Sequence, residues 1–204
     1  MCQIEAIIKS GANENVEFLS EIDELIDFAK ISVSFANRNG GSIFIGINEK
    51  GKVIGVNPGP ELILINQVKD YIEGELIFES VRHLVKHHCI IEVKVSKTEI
   101  PLLLKLNNDL KMYYYRVNSN SIEANKIIER YLNMRRFGKT VIESKHHSDF
   151  LDKLGDDRCN LSLLYKMMNM KPNEVDKLTA ELLFLNKLKI LVIDNKFFYS
   201  QLKS

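Results

Sequence analysis

The chain carries almost no net charge. Its 28 Lys and Arg face 27 Asp and Glu, which leaves +1 over 204 residues. A basic excess is the sequence-level sign of a phosphate-binding protein, and it is missing. Any contact with a polyanion has to come from a local cluster of cations. Cysteine is scarce too. Cys2, Cys89 and Cys159 stand far apart and make no Cys-x-x-Cys pair. That excludes a disulfide framework and fits a reducing compartment. Met1-Cys2-Gln3-Ile4-Glu5 has neither the basic start nor the long apolar run of a secretory signal. No apolar run approaches the roughly 18 residues needed to cross a bilayer. These absences predict a cytoplasmic protein with no membrane partner. Gly-x-x-x-x-Gly-Lys-Ser/Thr does not occur, so a phosphate-binding P-loop has no support. Internal repeats, low-complexity tracts and long linkers are also lacking.

What is present is ordinary globular material, 45% hydrophobic and 27% charged. The length suffices for one large domain or two small ones. Residues 20–37 read as a helix, with Ser20 as N-cap and Ile22, Leu25, Ile26, Ala29, Val33 and Ala36 at helical spacing. Asn37-Arg38-Asn39-Gly40-Gly41 breaks it, because a glycine pair allows positive φ and close backbone approach. Ser42–Ile47 reads as a short apolar strand. A turn at 48–52 and a return strand at 53–56 complete a hairpin. Residues 61–73 show a helical face of Leu62, Ile65, Val68 and Ile72. Strands follow at about 89–95, 100–106 and 112–118, then a helix over 122–136. Helix, hairpin, helix, strands and helix make an α+β domain.

After about residue 140 the pattern changes. Residues 146–154 and 161–168 read as short helices. A long amphipathic helix then opens at Pro172, with Val175, Leu178, Leu182, Leu185 and Leu188 on its stripe. Ile190–Ile193, Asp194-Asn195-Lys196 and Phe197–Tyr199 form a terminal hairpin. Helices before a hairpin describe a winged helix. The expected domains are 1–139 and 140–204.

Three separated blocks identify a family resemblance. They are Val16-Glu17-Phe18, the run from Ser34 through Asn37-Arg38-Asn39-Gly40-Gly41 to Ile47, and Lys52-Val53-Ile54-Gly55-Val56. Together they resemble the Schlafen/AlbA-like domain, a DNA-binding module of many bacterial proteins. Further on, Ile91-Glu92-Val93, Ile100-Pro101 and Tyr113-Tyr114-Tyr115-Arg116-Val117-Asn118-Ser119-Asn120 resemble the family's strand, proline and Tyr-Ile-Arg-Val-Gly-Ser run. The resemblance covers about residues 5–135. It implies a mixed sheet-and-helix fold and a nucleic-acid partner, DNA ahead of RNA. A winged helix after it suits regulator-like members. Related sequences have also been labelled ATP-binding, a label with no P-loop behind it here. RNA-cleaving Schlafen members carry three acidic residues, at positions that correspond here to Ala12, Glu17 and Asn48. Only Glu17 keeps its carboxylate. Clustered carboxylates are what hold hard cations for phosphodiester cleavage. The resemblance therefore implies Glu17 as a catalytic remnant, with no metal and no cofactor.

The expected nucleic-acid set is Arg38, Asn39, Gly40, Gly41, Tyr114, Arg116, Asn118, Arg135 and Arg136. Backbone N–H groups at Gly40-Gly41 can cradle phosphate, or simply make a tight turn. Strand alternation places Tyr114 and Arg116 on one face, able to stack a base and pair a phosphate, or to pack across strands. Asn118-Ser119-Asn120 offers donors or a turn. Arg130, Arg135, Arg136 and Lys139 are the densest basic stretch, at a helix end that suits cations. His83, His87, His88 and Cys89 lack a second ligand pair at zinc spacing, and with His146-His147 read as surface histidines. On the long helix Glu174, Asp176 and Glu181 would repel phosphate. A protein partner, or self-association through Leu183 and Phe184, is the reading there, the alternative being that these two widen the helix's own buried face. Three functions follow: a DNA-binding regulator, a Schlafen-type ribonuclease built around Glu17, and a protein-interaction module.

Overall fold

Two apolar surfaces on one small sheet organise the first part of the chain. The computed structural model describes residues 3–107, 109–194 and 196–202. Met1, Cys2 and Asn195, named above, lie outside the described residues. Packing divides the chain into two units that meet at Glu123 and Ala124, ahead of the boundary expected after residue 139.

In the first unit, α1 (Gln3–Ser10) precedes β1 (Val16–Leu19), α2 (Leu25–Asn37) and β2 (Gly41–Ile45). Then come α3 (Pro58–Gln67), a 3₁₀ turn at Val68–Tyr71, β3 (Ile72–Glu73), β4 (Phe78–Val85) and β5 (His88–Val95). The unit ends with β6 (Leu103–Lys105), β7 (Lys111–Met112), β8 (Tyr114–Val117) and β9 (Asn120–Glu123). The main sheet runs β1-β2-β5-β4, with β1 parallel to β2 and the other pairs antiparallel. Ile43, Ile45, Ile91, Val93 and Val95 face a core shared with Phe28, Val33 and Phe35 of α2. Phe44 and Ile90, on the opposite pleat, pack with Ile4 and Phe18. Ile43-Phe44-Ile45 is continuously apolar because both faces of the strand are buried.

Several boundaries differ from the sequence reading. Helix α2 starts at Leu25, not at Ser20, because the segment before it is tied elsewhere. The Ile22 N–H donates to Glu61 Oε2 at 3.3 Å, and the Ile22 side chain is buried. The expected return strand at 53–56 shrinks to one bridge, Ile47 to Val53. Both edges of β2 are already occupied by β1 and β5, so no third strand can pair there. The sequence reading assigns no strand to 78–85, where β4 forms. It also runs the 122–136 helix through β9.

In the second unit, α4 (Lys126–Arg136) precedes α5 (Lys145–Leu154), β10 (Cys159–Asn160) and α6 (Leu161–Met168). The long helix α7 (Pro172–Phe184) and the hairpin β11 (Leu188–Ile193) and β12 (Lys196–Gln201) follow. The three strands are ordered β10-β12-β11. Asn125 caps α4, accepting from the N–H groups of Ile127 and Ile128 at 3.1 Å. Pro172 opens α7 at a first-turn position, where its missing N–H costs nothing. Helix α4 packs on α7. Asp176, read above as a surface position, is therefore buried, and Leu183 belongs to the helix's buried face. Asp176 accepts a 2.7 Å bond from the Tyr165 hydroxyl. Burial and that carboxylate push the Tyr165 phenol up to about 12. His147, also read as a surface residue, is buried between Ser144 and Glu181, with Nε2 3.1 Å from Glu181 Oε2.

Candidate nucleic-acid interface

The glycine pair that ends α2 is built for close packing. Gly40 has φ of +77°, and a Cβ there would lie 2.6 Å from the Val95 carbonyl oxygen. A Cβ on Gly41 would strike the Phe35 ring at 2.5 Å. The Gly40 N–H donates to the Phe35 carbonyl at 2.8 Å. The pair is thus a tight helix-to-strand turn, and the Gly40 donor is already engaged.

The arginines beside it are held by carboxylates. Arg38 Nη2 lies 2.9 Å from Glu14 Oε2, and its Nη1 donates to the Arg116 carbonyl at 2.7 Å. Arg116 is not on a surface at all. Strand β8 packs along α2, and the Arg116 side chain is 1% exposed. Its Nη1 donates to Glu17 Oε2 at 2.8 Å, and its Nη2 to the carbonyls of Asn13 and Val16. The guanidinium also lies 4.6 Å from the centre of the Phe35 ring. Its Nε has no hydrogen-bond partner among the described residues. Burial lowers its pKa, and the neighbouring Glu17 opposes that shift. Buried and engaged by Glu17, Arg116 cannot pair a phosphate beside Tyr114.

Glu17 is committed in the same way. One carboxylate oxygen takes Arg116, and the other accepts from the Phe18 N–H at 3.1 Å. Asn48 accepts from the N–H groups of Lys50 and Lys52, so it organises a turn. Ala12 is exposed and offers no ligand. Among the described residues, no group of three or more His, Cys, Asp or Glu could hold a metal ion.

The remaining expected residues are dispersed. Asn39 is exposed, and Asn118 turns the β8–β9 hairpin with φ of +52°. Tyr114 is half-buried, with Lys30 Nζ 5.7 Å from its ring centre. Its phenol is raised by burial. Arg135 and Arg136 end α4 in the second unit, where Arg135 lies against the Tyr131 ring.

Cations do collect elsewhere. Lys9 from the last turn of α1, Lys52 from the turn after β2 and Lys86 from the β4–β5 turn line one open cavity of about 510 Å³, with His88 at the start of β5 beside them. Glu5 is the carboxylate on its rim, and Gly51, Val53 and Val85 are among its other walls. Lys52 and Lys86 make no ion pair with the described residues. Periodicity could not reveal this cluster, because it draws on three separate segments. The available signal was a lysine in each of two tight turns. In the second unit Lys126, Arg130 and Lys139 line a groove of about 450 Å³ beside Phe137.

The DIP2311 protein from Corynebacterium diphtheriae, a solved structure, is 15% identical with a TM-score of 0.49. The match covers 78% of this chain and 30% of that one. No curated protein matches the chain. No described helix is long and apolar enough to cross a membrane. The family model described as Schlafen, AlbA_2 matches residues 12–125, which span the glycine turn, Glu17 and Arg116, and the chain belongs to that family.

Proposed function

We propose that the protein binds nucleic acid, DNA ahead of RNA, as a transcription regulator. The observation that carries this reading is the cavity where Lys9, Lys52, Lys86 and His88 converge. The family is often associated with nucleic-acid binding. Near-neutral total charge is no obstacle once cations are sorted to one end of a sheet. The contact set moves accordingly. Arg38 and Arg116 brace the fold around Glu14 and Glu17, and the lysines meet the phosphates. Asn39, Tyr114 and Asn118 remain candidates for secondary contacts, and Arg135 and Arg136 for contacts from the second unit.

The second unit is proposed to be winged-helix-like, on the order α5, β10, α6, α7 and hairpin. Its α7 carries buried residues on most of its circumference, covered in part by α4. We therefore assign α7 to internal packing rather than to groove reading, and leave the Lys126–Arg130–Lys139 groove as the unit's phosphate surface.

The test is titration of labelled duplex DNA at several salt concentrations. Binding should weaken along a log–log line with slope near −0.9 per neutralised phosphate. Lys52→Glu with Lys86→Glu should weaken binding and flatten the slope by about 0.9 for each lysine that touched a phosphate. No binding by the wild type at low salt overturns the function. An unchanged slope in the double variant overturns the location.

A further inference from the structure

Strand β4 is the open edge of the main sheet, eight residues long and without proline. Long exposed edges are ordinarily blocked or paired. Among the described residues no strand pairs with its outer side. Leu84 is 75% exposed and Ile77 53% exposed, beside the half-buried Phe78. Nothing in the first unit's own packing calls for an apolar residue at Leu84.

We propose that β4 pairs antiparallel with β4 of a second copy, about a twofold axis through Val81. The register follows from the pleat. Directly opposed residues in an antiparallel pair share a face, so the axis must pass through a residue and not between two. An axis through Arg82 opposes two guanidinium groups, which is unfavourable. An axis through Ser80 sets Phe78 opposite Arg82. The axis through Val81 opposes Glu79 to His83, Phe78 to Leu84, Ile77 to Val85 and Ser80 to Arg82. Each charge then meets an opposite or polar partner, and the exposed leucine gains an apolar neighbour. His83 already uses Nε2 on Glu92 at 2.8 Å, which leaves Nδ1 for the second copy's Glu79. The two four-stranded sheets become one eight-stranded sheet.

This pairing has a consequence that rests on the proposed function. The residue opposite Lys86 would be Leu76 of the second copy. The two Lys86 turns then lie ten residues apart along the strands, roughly 34 Å at strand rise. That spacing is about one turn of duplex DNA, the separation of half-sites read by twofold proteins.

The experiment is sedimentation and light scattering of the full chain, followed by cysteine cross-linking. Wild type should show twice the monomer mass at about 100 µM, which requires a dissociation constant well below that concentration. Leu84→Lys, at an exposed site, should return the mass to monomer with unchanged circular dichroism. Val81→Cys should give an 81–81 disulfide under mild oxidation, identified by peptide mass and absent from wild type. Glu79→Cys alone should not link, but should link to His83→Cys when the two are mixed. A monomeric wild type, a dimer that survives Leu84→Lys, or a Val81→Cys chain that fails to link overturns the proposal. In the DNA titration, Leu84→Lys should lose affinity while keeping its per-chain salt slope. Loss of that slope would bear on the lysine cavity and not on the edge.

Discussion

At Arg116 a full positive charge is 1% exposed, while the carboxylate that balances it, Glu17, keeps 17% of its side-chain surface. The asymmetry makes the two deletions unequal. Glu17→Ala strands a buried guanidinium and should cost about 3 kcal/mol or more in urea unfolding. Arg116→Met leaves a carboxylate that can reach water, so its cost should be smaller. Glu17→Ala is thus chiefly a stability variant, and any loss of RNA cleavage in it has to be compared at equal folded fraction. Glu61 offers a test in pH. Burial raises its carboxyl above the usual range, Glu21 and Asp23 add to the shift, and the Ile22 N–H opposes it. A raised acid binds its proton more tightly when folded, so stability falls as pH rises from the ordinary carboxylate pKa through the raised one. Glu61→Gln keeps an acceptor for Ile22. It should raise the melting temperature at pH 7 and lose that advantage in acid.

Among the elements, α4 depends most on one residue. Asn125 caps its first turn and also bonds the Tyr199 hydroxyl at 2.9 Å. Tyr199 is fully buried in the hairpin, so the cap ties helix to sheet. Asn125→Ala should cost about 1–2 kcal/mol in thermal or urea unfolding, since it removes a cap and orphans a buried hydroxyl. The elements also show what the sequence could reveal. Helix α7 was legible because its apolar spacing coincides with strong punctuation at Pro172. Strand β4 was not, because Phe-Glu-Ser-Val-Arg-His-Leu-Val lacks the period-two alternation that marks a strand, and pairing with β5 is what makes it one. Parallel pairing of β1 with β2 leaves no local trace in either segment.

Each unit has its own core, so damage can be localised. Leu182 is fully buried in α7. Leu182→Ala should cost about 3 kcal/mol. Loss of amide-exchange protection should begin within 124–202, and peptides from β2 and β5 should hold theirs longer. Protection lost equally everywhere would mean that the chain opens as one body.

The sequence alone determined the family, the α+β composition, the glycine turn, and the helices and hairpin of the second unit. These depend on local spacing and punctuation, which a linear text preserves. Tertiary structure alone decided which charges are available. Arg38 and Arg116 look like phosphate ligands until Glu14 and Glu17 are brought against them from a different segment. Lys52 and Lys86 look ordinary until two turns meet beside α1. Charge in a chain is a sum, but charge in a fold is an arrangement, and only the arrangement can bind.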